Sequence, residues 1–321
     1  MGGEHRPPPA ATKVSPMAKR LTVRHRTTYS YAVPVEFGEH RMMLRPRDSH
    51  DLRLVDARMT LSPGAHVRWA HDVFGNSVAF MTFDEPATEL LVESVLVLDR
   101  YALEGPRPPI DPAAERYPFI YSADDRADLG RLRELQHSDP KGEVATWAKG
   151  FVASDVTDTL ALLADINSGI HKGFTYQARA DEGTQAPLET LHLGSGTCRD
   201  FALLMMEALR SLGFATRFVS GYLYDPALDS AANSGIQGSG ATHAWLEVYL
   251  PGAGWVEYDP TNGLIGSNSL IRVAVTRDPS QAIPIAGSYS GPAGAFTGME
   301  VVVEVMAGDS DDESSPVSEA A

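Results

Sequence analysis

The hydrophobic period of this chain changes once, and that change limits the folds open to it. Between residues 21 and 99 apolar side chains recur at every second position in short runs. Residues 21–29 alternate Thr, Val and Tyr with charged groups, 53–61 alternate apolar and polar positions, and 89–98 form a further strand-like run. Ser62-Pro63-Gly64 and Phe74-Gly75-Asn76 supply turns between them. Successive strands with no helix between them predict an antiparallel sandwich. Beyond residues 104–118, which are rich in proline and charge, the period becomes helical. Residues 155–171 space Leu160, Leu163, Ile166 and Ile170 by three and four, and 201–212 set Leu204, Ala208 and Leu212 on one stripe ahead of Gly213. Residues 215–224 and 299–305 read as strands. Residues 243–250 and 255–259 read as a hairpin joined by Pro251-Gly252-Ala253-Gly254.

A chain of 321 residues has room for two domains. The predicted class is α+β. Its expected division is a disordered extension (1–20), a β-sandwich domain (21–104), a linker (105–118), a catalytic core (119–306) and a disordered acidic tail (307–321). Residues 225–240, rich in Gly, Ser, Ala and Asn, are expected to form a mobile loop. With 42 acidic against 27 basic side chains the net charge is −15, which argues against nucleic acid as a partner. No apolar run approaches the roughly 20 residues that span a bilayer, so no membrane partner is expected. The first 18 residues lack the apolar stretch of a secretory signal, and the expected location is the cytoplasm. Gly2 does not open a myristoylation motif, because Arg6 stands where Ser or Thr is needed. Met17, just ahead of the first strand, is an alternative start. The histidines lack H-x-x-x-H spacing and there is one cysteine, so neither a metal nor another cofactor is expected.

That cysteine, Cys198, cannot form an intramolecular disulfide. Three readings remain: a buried thiol, an intermolecular disulfide or a reactive group. In Gly196-Thr197-Cys198-Arg199-Asp200, Thr197 suits a helix N-cap, and Asp200 three residues on completes a capping box. Cys198 then occupies the first helical turn. There the helix dipole favours a thiolate, and unpaired N–H groups can receive an oxyanion. Gly194 and Gly196 are expected to let a substrate carbonyl approach the backbone. Downstream, His243 opens a strand whose alternation sets His243, Trp245, Glu247 and Tyr249 on one face and Ala244, Leu246 and Val248 on a core face. Asp259 ends the partner strand, so the hairpin brings its carboxylate toward the imidazole. Taken singly, a strand-start His is more often a packed or surface residue, and an Asp before Pro more often a turn residue. Together with Cys198 they point to a thiol triad.

The runs 194–202, 209–222, 243–249 and 255–262 resemble the motifs of the bacterial transglutaminase-like family, whose members are often described as cysteine proteases. Residues 25–31, Leu44-Arg45-Pro46-Arg47 and Asp72-Val73-Phe74-Gly75-Asn76 resemble the β domain that precedes the core in that family. Thr276-Arg277-Asp278 and Gly287-Ser288-Tyr289-Ser290-Gly291 resemble its C-terminal portion. The likeness covers roughly residues 21–306. It departs at Arg199, where Gln is more usual, and at Ser195-Gly196-Thr197, where a Gly-Val-type pair is more usual. The resemblance implies a papain-like transglutaminase core, with a helix-start Cys packed on an antiparallel sheet, behind a β-sandwich. It implies Cys198 as nucleophile, His243 as general base and then acid, and Asp259 as the orienting carboxylate. Tyr176, Thr197 and Trp245 are the expected oxyanion or substrate-side residues. The implied chemistry is acyl transfer through a thioester, with hydrolysis of a peptide, protein or small amide substrate as the leading reading. Amide crosslinking to an amine acceptor is one alternative; a catalytically silent binding or scaffold module is another.

Overall fold

The computed structural model describes residues 18–101, 108–153, 156–178, 183–226 and 241–308. Most of the expected N-terminal extension, Met17 included, lies outside them, as do the expected mobile loop beyond Pro226 and the tail beyond Gly308. The first six strands are β1 (Ala18–Phe37), β2 (His40–Arg45), β3 (Leu52–Ser62), β4 (Ala65–His71), β5 (Ser77–Phe83) and β6 (Ala87–Tyr101). They form two antiparallel sheets, one in the order β1-β6-β3 and the other β2-β5-β4. Alternation along β1 buries Leu21 and Val23 and exposes Arg24 and Arg26. Tyr31, Val35, Phe37, Leu90 and Val92 of one sheet meet Met42, Leu44, Ala79 and Met81 of the other, which closes a sandwich.

The next elements are β7 (Arg116–Tyr117), α1 (Ala123–Leu129), α2 (Glu143–Lys149), β8 (Thr157–Asp158), α3 (Thr159–Gly173), β9 (Thr175–Tyr176), α4 (Pro187–Leu193), β10 (Ser195–Gly196) and α5 (Cys198–Ser211). A second β layer follows, built from β11 (Thr216–Leu223), β12 (Thr242–Leu250), β13 (Gly254–Asp259), β14 (Leu264–Ile265) and β15 (Leu270–Thr276) in the order β14-β13-β12-β11-β15. Helix α5 lies against β11 and β12 and is packed by α2, α3 and α4. Its burial therefore extends well beyond the predicted stripe, to every residue from Phe201 to Arg210. Two charges are enclosed with it. Arg210 donates to Glu207 at 2.8 Å, and Glu207 also accepts the N–H groups of Gln136 and His137, so neither is left bare in the core.

The architecture is α+β, as predicted, but the chain crosses its expected boundaries. After β15 it leaves the core: β16 (Ile285–Ala286) pairs with β2, and β17 (Tyr289–Ser290) and β18 (Phe296–Ala307) pair with β1. The predicted last strand thus belongs to the sandwich and not to the core. The reason is apolar. Val303 and Val305 join Leu21, Val23, Leu96 and Leu98 of the sandwich and Tyr222, Tyr224, Ile271 and Val273 of the core in one buried cluster. Ala18, Lys19 and Arg20, expected in the extension, are in β1, and Ala307, expected in the tail, ends β18. Within the predicted linker, β7 pairs with β8, which ties that stretch to the core. Among the described residues no helix is long and apolar enough to cross a membrane.

Candidate active site

The start of α5 is fixed by its own first residues. Thr197 Oγ1 accepts the Asp200 N–H at 3.4 Å, and Asp200 Oδ2 accepts the Thr197 N–H at 2.8 Å and its hydroxyl at 2.9 Å. Asp200 Oδ1 takes the Gln185 N–H at 2.7 Å, which satisfies a fully buried carboxylate. Cys198 follows the cap at the first helical position and is itself buried. The two neighbouring glycines have local structural roles of their own. A Cβ on Gly196 would stand 2.8 Å from Asp200 Cβ, and Gly194, at φ +59°, ends α4 in the left-handed region. Thr197, expected on the substrate side, spends both its N–H and its hydroxyl on Asp200; its role here is the cap.

The hairpin brings the second and third groups together. Leu250 pairs with Gly254 across residues 251–253, and Leu246 pairs with Tyr258, so Asp259 lies one step on, beside Trp245 and close to His243. His243 Nε2 is 2.9 Å from Asp259 Oδ2, with both side chains wholly buried. Asp259 Oδ1 accepts the N–H groups of Thr261 at 2.9 Å and Asn262 at 3.3 Å, and Asn262 Nδ2 donates to Oδ2 at 2.9 Å. Burial works against an imidazolium here. The Asp259 carboxylate outweighs it and, with Cys198 beside the ring, pushes the His243 pKa up to about 10. Asp259 is subject to the reciprocal balance: burial pushes it up, but His243, Asn262 and the Thr261 N–H hold it below its ordinary value. With Nε2 turned to Asp259, Nδ1 is the ring nitrogen left for the thiol. It is buried and has no aligned hydrogen-bond partner.

The other predicted residues divide. Parallel pairing of β9 with β10 sets Tyr176 opposite Gly196, two residues before the thiol. Burial raises the Tyr176 pKa, and Cys198 and Asp200 add to the rise. Trp245 is fully buried, with its ring 5.9 Å from that of His243 and tilted by 27°, and it packs on Val219, Leu223, Leu270 and Val275. It backs the imidazole and cannot line a substrate cleft. Asn262 was not among the expected site residues; its only signal is its place three residues after Asp259 in a turn. Arg199 donates to the Pro279 carbonyl at 2.7 Å and lies 4.9 Å over the Phe218 ring, so it braces the helix start. Among the described residues no cluster of three His, Cys, Asp or Glu side chains could hold a metal ion.

Comparison with known proteins shows the family. The bacterial transglutaminase-like N-terminal region matches residues 21–99, and the transglutaminase-like superfamily model matches 145–260. An uncharacterized protein of Mycobacterium leprae is 30% identical over 290 residues, which cover 89% of this chain and 98% of that protein. The chain belongs to the bacterial transglutaminase-like family. Another relative, an uncharacterized protein of Mycobacterium tuberculosis, is 30% identical over 281 residues, 84% of this chain and 87% of its own. The transglutaminase-like fold also matches a solved structure, a candidate cysteine protease from Cytophaga hutchinsonii, with a TM-score of 0.66 over 92% of each chain at 18% identity. In this transglutaminase-like core the family match takes in Cys198, His243 and Asp259 alike.

Proposed function

We propose that this protein transfers acyl groups through a thioester on Cys198, and that its reaction is hydrolysis of a peptide, protein or small amide bond. One observation carries the reading: a wholly buried His243–Asp259 pair leaves its second ring nitrogen for the chain's one thiol, which lies beside the ring at a helix start.

The steps follow from the geometry. Asp259 raises the imidazole pKa, so Nδ1 of His243 takes the Sγ proton before substrate arrives, and the thiolate of the resulting ion pair attacks the carbonyl carbon. The oxyanion that forms meets the Cys198 backbone N–H in the first helical turn, with the Tyr176 hydroxyl as second donor. As the tetrahedral intermediate collapses, the C–N bond breaks and the imidazolium gives its proton to the leaving amine. A thioester remains. His243 then takes a proton from water, whose oxygen attacks the thioester; the acid leaves and the thiol is restored. Throughout, Asp259 holds the Nε2–H and balances the imidazolium charge, while Trp245 blocks rotation from behind.

An amine in place of water would turn the same thioester into a crosslink. The test is mass spectrometry of products from a peptide mixture incubated with a labelled alkylamine, comparing wild type with Cys198→Ala. Hydrolysed product from wild type alone supports the reading. Amine adducts in its place would replace hydrolysis with crosslinking, and identical mixtures from both proteins would leave a silent binding module.

A further inference from the structure

The face of the core sheet that carries His243 and Asp259 also carries a buried ionic network. Ala244, Leu246, Val248, Val256 and Tyr258 point to α5, which turns His243 and Glu247 of β12 and Glu257 and Asp259 of β13 to the other side. Glu247 and Glu257 are directly opposed in the hairpin, and both are buried. Two carboxylates at a facing pair destabilise a sheet unless cations separate them. Arg272 from β15 does part of this, reaching Glu247 at 3.0 Å and Glu257 at 3.3 Å, and Arg217 from β11 pairs with the other oxygen of Glu247.

The remaining cation comes from the other domain. Arg100, on β6 of the sandwich, is 1% exposed. It donates to Glu257 at 3.4 Å, to the carbonyls of Leu270 and Asp51 at 3.0 Å each, and to the Asp51 carboxylate. Asp51 in turn meets Arg272 at 3.4 Å. Glu257 is thus held by Arg100 and Arg272, faced by Glu247 and Asp51, and stands two residues before Asp259 on the same face of the same strand. That spacing is roughly 7 Å.

We propose that Arg100 is a positioning residue for the catalytic pair: it keeps Glu257 seated in the sheet and thereby fixes β13 and the Asp259 carboxylate. The inference rests on the triad reading above. Without Arg100 the buried Glu257 must move toward water or take up a proton, and either change alters the position or the field felt by Asp259. Burial already pushes the Glu257 pKa up to about 7 against the pull of Arg100 and Arg272, with Glu247 and Asp51 adding to the rise, so the loss of one cation tips it.

The experiment is the pH profile of Cys198 alkylation by iodoacetamide in the full chain, with the modified peptide identified and near-UV circular dichroism as the folding control. The proteins are wild type, His243→Ala, Arg100→Met, Glu257→Gln and the Arg100→Met/Glu257→Gln double variant. Arg100→Met should react about tenfold more slowly near neutrality, with a displaced profile. The double variant should return to within about threefold of wild type, since the charge that Arg100 offsets is gone. Glu257→Gln alone should stay within about threefold of wild type, since it removes the charge that Arg100 holds. A wild-type profile in Arg100→Met, or a double variant no faster than the single, overturns the proposal. If Arg100→Met does not fold, the double variant decides: a rate within about threefold of wild type supports the role and a rate tenfold or more slower overturns it. Indifference of the wild-type profile to His243→Ala refutes the triad reading itself, whereas dependence on His243 without dependence on Arg100 refutes only the positioning role.

Discussion

Burial disfavours a charged His243, and the Asp259 carboxylate beside the ring outweighs it. The imidazole's folded pKa of about 10 lies above the ordinary 6.5, so the pair contributes stability that is complete below the ordinary value and is lost as pH rises toward the folded one. Asp259→Asn removes the group that raises the pKa and leaves the burial that lowers it. The imidazole should then titrate well below its wild-type value, read by NMR of the ring protons; an unmoved titration would contradict the assignment. Turnover in Asp259→Asn should fall, but less completely than in His243→Ala, which lacks the base altogether. Asn262 is the smaller lever. Its side chain gives Asp259 one charge-assisted hydrogen bond, so Asn262→Ala should cost about 1.5–3 kcal/mol in urea unfolding, and a change below that range would make Asn262 a bystander.

At the scale of elements, the start of α5 depends on a cap and on a glycine. Thr197→Ala deletes the cap and should cost about 0.5–2 kcal/mol, measured by chemical denaturation. Gly196→Ala forces a Cβ into the Asp200 side chain and should cost about 1–3 kcal/mol by the same method. If Gly196→Ala proved neutral, the close approach would not be what keeps glycine there. Both features explain why this helix start was legible from sequence: Thr197, Cys198 and Asp200 are neighbours, and capping chemistry is local. The hairpin was legible for the same reason, through its alternation and its Gly-rich turn. Other features were hidden because their partners are distant in sequence. Glu207 and Arg210 look like a solvated face of α5 until α2, the stretch at 136–137 and the sheet enclose them. Trp245 reads as a cleft residue from alternation alone, since alternation tells which face a side chain takes and not whether a second layer covers that face. Arg100 is 49, 157 and 170 positions from Asp51, Glu257 and Leu270, and no local pattern relates them.

At the scale of the molecule, sandwich and core share one apolar cluster, which β18 completes on its return from the core. The core and the sandwich therefore share a buried apolar interface. A fragment of residues 108–284 would expose Tyr222, Tyr224, Ile271 and Val273 and would leave Glu257 without Arg100. It should give a collapsed, poorly dispersed amide spectrum, and a well-dispersed one would show that the sandwich is dispensable for folding. The α+β class was legible because the change of period along the chain is strong. The crossing of the C-terminal strand was not, because residues 299–305 read as a strand from their own side chains whichever sheet receives them. Every step proposed for this chain needs a thiol activated by a buried imidazole. The most direct measurement is the rate of iodoacetamide modification of Cys198 in the intact chain near pH 7, wild type against His243→Ala. The rate should fall about tenfold or more when the imidazole is removed; equal rates would mean that Cys198 and His243 do not act as a pair.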